Sequence, residues 1–195
     1  MIAAIETEYQ GYRFRSRLEA RWAVFFETLK VRYEYEKEGY DLSGILVPSE
    51  AGDRPLPEDT RYLPDFWLPD VYDQENEPGI WLEIKGSEPN GREFDLCEGL
   101  SRVTKQSVLM AIGLPLLDGA ECLMQIDGGW DMRVFVICSK SKYHPPKICY
   151  PGETNYAICP ECGSKMSNND VSLKRAIRAA KRARWEYGER PTIEL

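Results

Sequence analysis

Hydrophobic positions along the chain switch between helical and strand periods. Leu18, Trp22, Phe25, Phe26 and Leu29 recur at three- and four-residue intervals, the stripe of a helix packed on a core. Ser16-x-x-Glu19 opens that stretch as a capping box, with Glu19 at N3 expected to bond back to the Ser16 amide. The pattern predicts a helix over 16–29 and a strand over 31–35. Residues 41–61, with Pro48, Gly52, Pro55 and Pro57, hold no period; they read as an ordered insertion or as a flap over a cleft. Strands follow at 62–67 and 80–84, a helix at 92–104, a strand at 107–112, and another at 130–137 after the turn Asp127-Gly128-Gly129. A last helix carries Leu173, Ile177 and Trp185 as anchors and Ala176, Ala179, Ala180 and Ala183 as a small-residue stripe. Helices and strands mixed in this order predict an α/β protein with a central mixed β-sheet flanked by helices. The expected divisions are a core over 1–137, a small cysteine-bearing appendage over 138–166, and a basic C-terminal helix over 167–195.

The chemistry concentrates where two of these strands meet. Side chains alternate along a strand, so Trp81, Glu83 and Lys85 share one face and Ile80, Leu82 and Ile84 the other. The second set reads as the core side. A Glu and a Lys on the opposite face, one strand after Pro64-Asp65 and ahead of Gly86, bring two carboxylates beside an ammonium. Such a group can hold a divalent cation through oxygen ligands next to a scissile phosphate. The metal would polarise the phosphoryl oxygen and acidify a bound water, and Lys85 would orient that water or offset developing negative charge. The competing reading is a solvated face carrying a cross-strand ion pair, worth little.

Pro64-Asp65 followed by Glu83-Ile84-Lys85 resembles the motif of the PD-(D/E)XK nucleases, the restriction-endonuclease-like superfamily. Ser16 to Ala23 is similar to the first helix of that fold, which often contributes a further acid. The order Glu, Pro-Asp, Glu-x-Lys is similar to that in endonuclease subunits that cut transposon ends and in phage-encoded nuclease-like proteins, and residues 178–189 resemble the tail of the latter. The resemblance implies a Mg²⁺- or Mn²⁺-dependent nuclease acting on DNA, sometimes RNA. It implies Asp65 and Glu83 as metal ligands, Lys85 as the catalytic lysine and Glu19 as an accessory acid, though the capping box alone also accounts for Glu19. Two other outcomes are compatible: a non-catalytic module binding nucleic acid or protein on the same fold, and a nuclease subunit active only with a partner.

Charge and composition narrow the partners. The net charge of −7 over 195 residues argues against indiscriminate coating of nucleic acid, but local basic patches can carry phosphate contacts. One surrounds the first helix (Arg13, Arg15, Arg17, Arg21); the other crowds the last (Lys174, Arg175, Arg178, Lys181, Arg182, Arg184). The last helix is then either a solvated amphipathic helix docked through Ala and Leu or one lying along a phosphate backbone. Trp67 and Trp81 are core aromatics, or base-stacking platforms; Lys105 and Gln106 cap a helix end or approach the cleft. No apolar run long enough for a membrane span occurs, and residues 1–17 lack a signal core, so a cytoplasmic protein is expected.

Six cysteines and one histidine supply a second feature. Cys159-Pro160-Glu161-Cys162-Gly163 has the spacing of a structural zinc knuckle, favoured over a disulfide where no secretion signal is read. Cys149 is the expected third ligand and Cys138 the fourth, with His144 as the alternative to Cys138. A redox role for Cys159 and Cys162 lacks a strand–helix context. Cys97 and Cys122 read as core residues.

Overall fold

The computed structural model describes residues 4–73, 75–115, 122–126, 129–138, 140, 144–149, 157–186 and 191, with only the backbone for 122–126, 129, 131, 132, 148 and 149. The expected turn residues Asp127 and Gly128 lie outside these. The chain opens with a hairpin, β1 (Thr7–Tyr9) and β2 (Tyr12–Phe14). Gln10 and Gly11 join them with φ of 48° and 82°, the two positive values of a type I′ turn that suits the strands' twist. Helix α1 (Arg17–Leu29) follows with Ser16 as its N-cap. Then come β3 (Glu34–Tyr35), β4 (Tyr40–Asp41), β5 (Leu46–Val47), β6 (Arg54–Pro55) and β7 (Arg61–Tyr62). The segment 41–61 is therefore an ordered insertion: β4 pairs β7, β5 pairs β6, and Leu42, Val47 and Leu56 make a small core of their own.

The remaining elements are β8 (Phe66–Tyr72), β9 (Pro78–Lys85), α2 (Gly91–Thr104), β10 (Ser107–Ile112), β11 (Cys122–Ile126), β12 (Gly129–Cys138), β13 (Lys147–Cys149), β14 (Met166–Ser167) and α3 (Val171–Arg182). The strand expected at 62–67 begins four residues later. Pro64 has no N–H to give to a ladder, and Tyr62 pairs with Tyr40 instead. An eight-stranded sheet runs in the order β11-β10-β9-β8-β13-β12-β14, with β3 on β8. The first half of β12 also pairs with β11, so the pairing returns on itself. Strand β9 runs antiparallel to β8 and parallel to β10, with α2 as the connection. The fold is mixed α/β. Among the described residues, no helix is long and apolar enough to cross a membrane.

Both faces of β9 are covered. Ile80, Leu82 and Ile84 join Trp22, Phe25 and Phe26 of α1 and Leu173, Ala176 and Ile177 of α3 in the main core. Trp81 joins Cys97 and Leu100 of α2 with Val108 and Met110 of β10. The alternation predicted for β9 is present, but its second face is a second core rather than a solvated surface. Trp81 is a core residue there, and Trp67 packs against it with ring centroids 4.6 Å apart. Cys97 is likewise buried; the side chain of Cys122 lies outside the described residues. Lys105 ends α2 in a left-handed conformation, its amide bonded to the Ser101 carbonyl at 2.8 Å, so it caps the helix. The expected boundary at 137/138 falls inside β12. Phe135 and Ile137 face the main core, while Val134, Val136 and Cys138 pack with Ala157, Cys159 and Met166.

Candidate functional site

Strand register assembles the first site. Phe66 pairs with Leu82 in the antiparallel ladder, which sets Asp65 opposite Glu83. The Ile84 amide donates to Asp65 Oδ2 at 2.7 Å and the Asp65 amide to Glu83 Oε2 at 3.3 Å. Lys85, two residues on, donates to Glu83 Oε1 at 2.9 Å. Asp65 and Glu83 are buried, at 3% and 6% exposure, and folded proteins seldom bury carboxylates unless they are paired. Sequence and structure therefore agree that Asp65, Glu83 and Lys85 meet.

Glu19, also buried, reaches the same neighbourhood from the start of α1. Its amide donates to Ser16 Oγ at 3.2 Å, as the capping box requires. The reciprocal arm differs from expectation: Glu19 accepts from the Ser16 hydroxyl at 2.6 Å and from the Arg15 amide at 3.1 Å, not from the Ser16 amide. Tyr35 adds a hydroxyl donor to Glu19 Oε2 at 2.5 Å. The cap and a place beside Asp65 are thus held together by one side chain.

Residues that the sequence reading passed over complete the site. Arg15 lies with Nη2 2.6 Å from Asp65 Oδ1 and Nε 2.6 Å from Glu36 Oε1. Glu93 Oε1 lies 2.8 Å from Lys85 Nζ, while its other oxygen accepts the Asn90 amide at 2.8 Å in a complete capping box at the start of α2. The signal for Glu93 was in the sequence as Asn90-x-x-Glu93. Arg15 carried none beyond its charge, because its partner is fifty residues away. The other arginines of the first basic patch are engaged as well: Arg13 with Glu6, Arg17 with Glu186 at 2.7 Å, and Arg21 with the Ala183 carbonyl at 3.4 Å.

The electrostatics follow from burial. Loss of water, then the charges of Glu83 and Glu19, push the Asp65 carboxyl well above the usual carboxylate range, against the opposing Ile84 amide and Arg15 guanidinium. Burial alone would lower Lys85, but Glu83 and Glu93 outweigh it and hold the ammonium charged above its ordinary value. Burial likewise pushes the Tyr62 hydroxyl up. For Asp65 the linkage sign is fixed. A carboxyl whose folded pKa is raised favours the folded state below its unfolded value of about 3.9 and loses that contribution as pH rises through the folded pKa. In metal-free buffer, wild-type stability relative to Asp65→Asn should therefore fall as pH climbs from about 4 toward neutrality. Denaturant melts across that range check it; a flat difference would contradict the raised value.

A second group sits at the end of β12. Cys138, His144, Cys159 and Cys162 bring one ligand atom each to within 4.8 Å of one another. Cys138 Sγ is 3.7 Å from Cys162 Sγ, and Cys159 Sγ is 3.4 Å from His144 Nδ1. Tetrahedral zinc with Zn–S of about 2.3 Å and Zn–N of about 2.0 Å would set its ligands about 3.8 Å and about 3.5 Å apart. The four residues therefore fit a metal ion such as zinc. Hydrogen bonding from Ser164 draws the exposed Cys162 thiol down to about 6, and burial pushes Cys159 up. Cys138 and His144 are both in the group rather than alternatives to each other. The side chain of Cys149 lies outside the described residues; its backbone pairs with Val134, four residues back along β12 from Cys138. Among the described residues this is the one cluster of three or more His, Cys, Asp and Glu with ligand atoms so converged; Glu19, Asp65 and Glu83 are not drawn in to that degree.

The knuckle is tied to the sheet. Tyr72 of β8 donates to Glu161 Oε1 at 2.6 Å, β14 pairs with the end of β12, and Lys147 of β13 pairs with Tyr72. Comparison of the chain with protein-family models, curated proteins and solved structures returns no match.

Proposed function

We propose that the chain is a metal-dependent nuclease of the PD-(D/E)XK type, most simply a DNA endonuclease. The observation that carries this reading is the β8–β9 register, which sets buried Asp65 opposite Glu83 with Lys85 two residues on. The packing of α1 and α3 residues with one face of β9 and of α2 residues with the other supports a reading as restriction-endonuclease-like architecture. The second metal group is read as structural zinc on Cys138, His144, Cys159 and Cys162, because a closed set of four N and S donors suits that ion.

The acid group suits a hard divalent cation by donor type. Asp65 and Glu83 offer oxygens alone, and a bound cation would offset the mutual repulsion of Asp65, Glu83 and Glu19. Asp65 and Glu83 would hold Mg²⁺, with Glu19 as an accessory acid. Bound there, Mg²⁺ supplies polarisation of a phosphoryl oxygen and an acidified water. Lys85, kept charged by Glu83 and Glu93, acts as a fixed cation toward the phosphate rather than as a base. Arg15 holds Asp65 Oδ1 and must turn away for that oxygen to ligate; its side chain is 53% exposed, so its path to solvent is open.

A specific observation favours a second reading, a subunit that acts only with a partner. Glu19 accepts from Ser16, Arg15 and Tyr35, and Asp65 is held by Arg15, so the acids are engaged within the chain. The deciding experiment is incubation of circular single- and double-stranded DNA with Mg²⁺ or Mn²⁺. Nicking of a circle means endonucleolytic action. DNA bound but uncut, by protein that carries its zinc, favours the partner-dependent or non-catalytic reading.

A further inference from the structure

We propose that the solvent face of α3 is a nucleic-acid phosphate-backbone surface that feeds the Asp65–Glu83–Lys85 site; this rests on the nuclease reading and names where its substrate is held. Helix α3 is two-sided. Leu173, Ala176, Ile177 and Ala180 are buried against the main core. On the other side Arg175, Arg178, Lys181 and Arg182 are exposed. Arg175, Arg178 and Arg182 fall at three- and four-residue intervals, so they form one stripe. At about 1.5 Å rise per residue they span about 10 Å, the axial length of about three phosphates of one duplex strand at about 3.4 Å each.

Among the described residues, the stripe lacks the ion pairs that most arginines of the chain's first half make. Arg13, Arg15, Arg17, Arg32, Arg54 and Arg61 each face a carboxylate. Among the described residues, no ion pair joins Arg175, Arg178, Lys181 or Arg182 to an acid; Arg178 reaches only the Lys174 carbonyl at 3.2 Å. A helix face whose cations meet no acid among the described residues, in a chain of net charge −7, suits a partner of opposite sign. The helix dipole accounts for Lys181 and Arg182 in the last turn, but not for Arg175 and Arg178.

The stripe also points the right way. Arg17 meets Glu186 at 2.7 Å and Arg21 meets the Ala183 carbonyl at 3.4 Å. The C-terminal end of α3 therefore lies beside the start of α1, where Glu19 stands near Asp65. A backbone laid along α3 leads toward that acid group. An anionic membrane is the weaker fit, because the apolar face such a helix would insert is buried against α1.

The test is binding in EDTA, where no cleavage occurs, of labelled duplex and single-stranded DNA between about 50 and 200 mM salt. The triple variant Arg175→Gln/Arg178→Gln/Arg182→Gln should reduce the slope of log affinity against log salt by about 2–3 on duplex, uniformly across sequences. An equal loss of charge at Arg13, Arg32 and Arg61, each already paired, should change it by less than about 1. Unchanged melting temperatures exclude misfolding of exposed-residue variants. Equal slopes in the two triples, or binding to anionic vesicles with none to DNA, overturn the proposal. Because catalysis plays no part, lost nicking with a preserved α3 effect refutes the nuclease reading alone, and nicking with no α3 effect refutes this surface alone.

Discussion

Lys85→Ala should cut metal-dependent nicking of circular DNA by about 10²–10³-fold, the range for removing one preorganised charge-stabilising donor. Asp65→Ala should go further, by about 10³-fold or more, since several kcal/mol of metal stabilisation at about 1.36 kcal/mol per factor of ten disappears with the ligand. The two variants should part company in stability. Lys85 bridges Glu83 and Glu93, so its loss leaves the buried Glu83 and the half-buried Glu93 without their shared cation and lowers the melting temperature. Asp65 is a buried carboxyl pressed by Glu83 and Glu19, so its removal relieves repulsion that offsets part of the loss of the Ile84 amide and Arg15 contacts, and the metal-free protein should melt higher than Lys85→Ala does. Nicking rates and thermal melts on the same preparations check both halves. Full activity in either variant would end the assignment of these residues to catalysis.

The second large effect concerns the Cys138 group. Cys159→Ala should abolish stoichiometric zinc and lower the melting temperature by about 10 °C, because about 2–4 °C accompanies each kcal/mol in a domain of this size and a structural site contributes folding energy directly. Loss should stop short of global unfolding. The main core of α1, α3 and the sheet includes none of the four ligands, whereas the small cluster of Val134, Val136, Ala157 and Met166 includes two of them. Metal analysis and melts with and without a chelator measure this. Cys149→Ala is the informative companion: retained zinc in that variant confirms the Cys₃His set, and lost zinc refutes it.

How much of this was legible in the sequence depended on how local the cause was. Helix α1 was readable because Trp22, Phe25 and Phe26 repeat at the helical period and Ser16 caps it. Asp65, Glu83 and Lys85 were readable as a group because a two-residue period and one antiparallel neighbour suffice to bring them together. The start of β8 was misjudged because Tyr62 finds its ladder with Tyr40 across the insertion, which no periodicity reports. The hairpin of β1 and β2 went unread because three-residue strands are too short for a pattern, although Gln10-Gly11 marked its turn. Arg15 was missed as a site residue because its role is set by Asp65, far along the chain. Cys138 and His144 need not be alternatives: the β12 terminus and the loop after it converge, and both residues join the group.

The two helix starts carry one more consequence. Glu19 and Glu93 each spend one side of a carboxylate on a helix's first turn and the other on a residue of the acid site's surroundings, Tyr35 and Lys85 respectively. The first turns of α1 and α2 are thereby joined to the acid site through shared side chains. A ligand that draws Lys85 away from Glu93 should change the hold of that carboxylate on the Asn90 amide, so occupancy of the site should be readable in the amide-exchange rates at the start of α2. A spectroscopist could follow binding from the helix ends, without a probe on any reacting group.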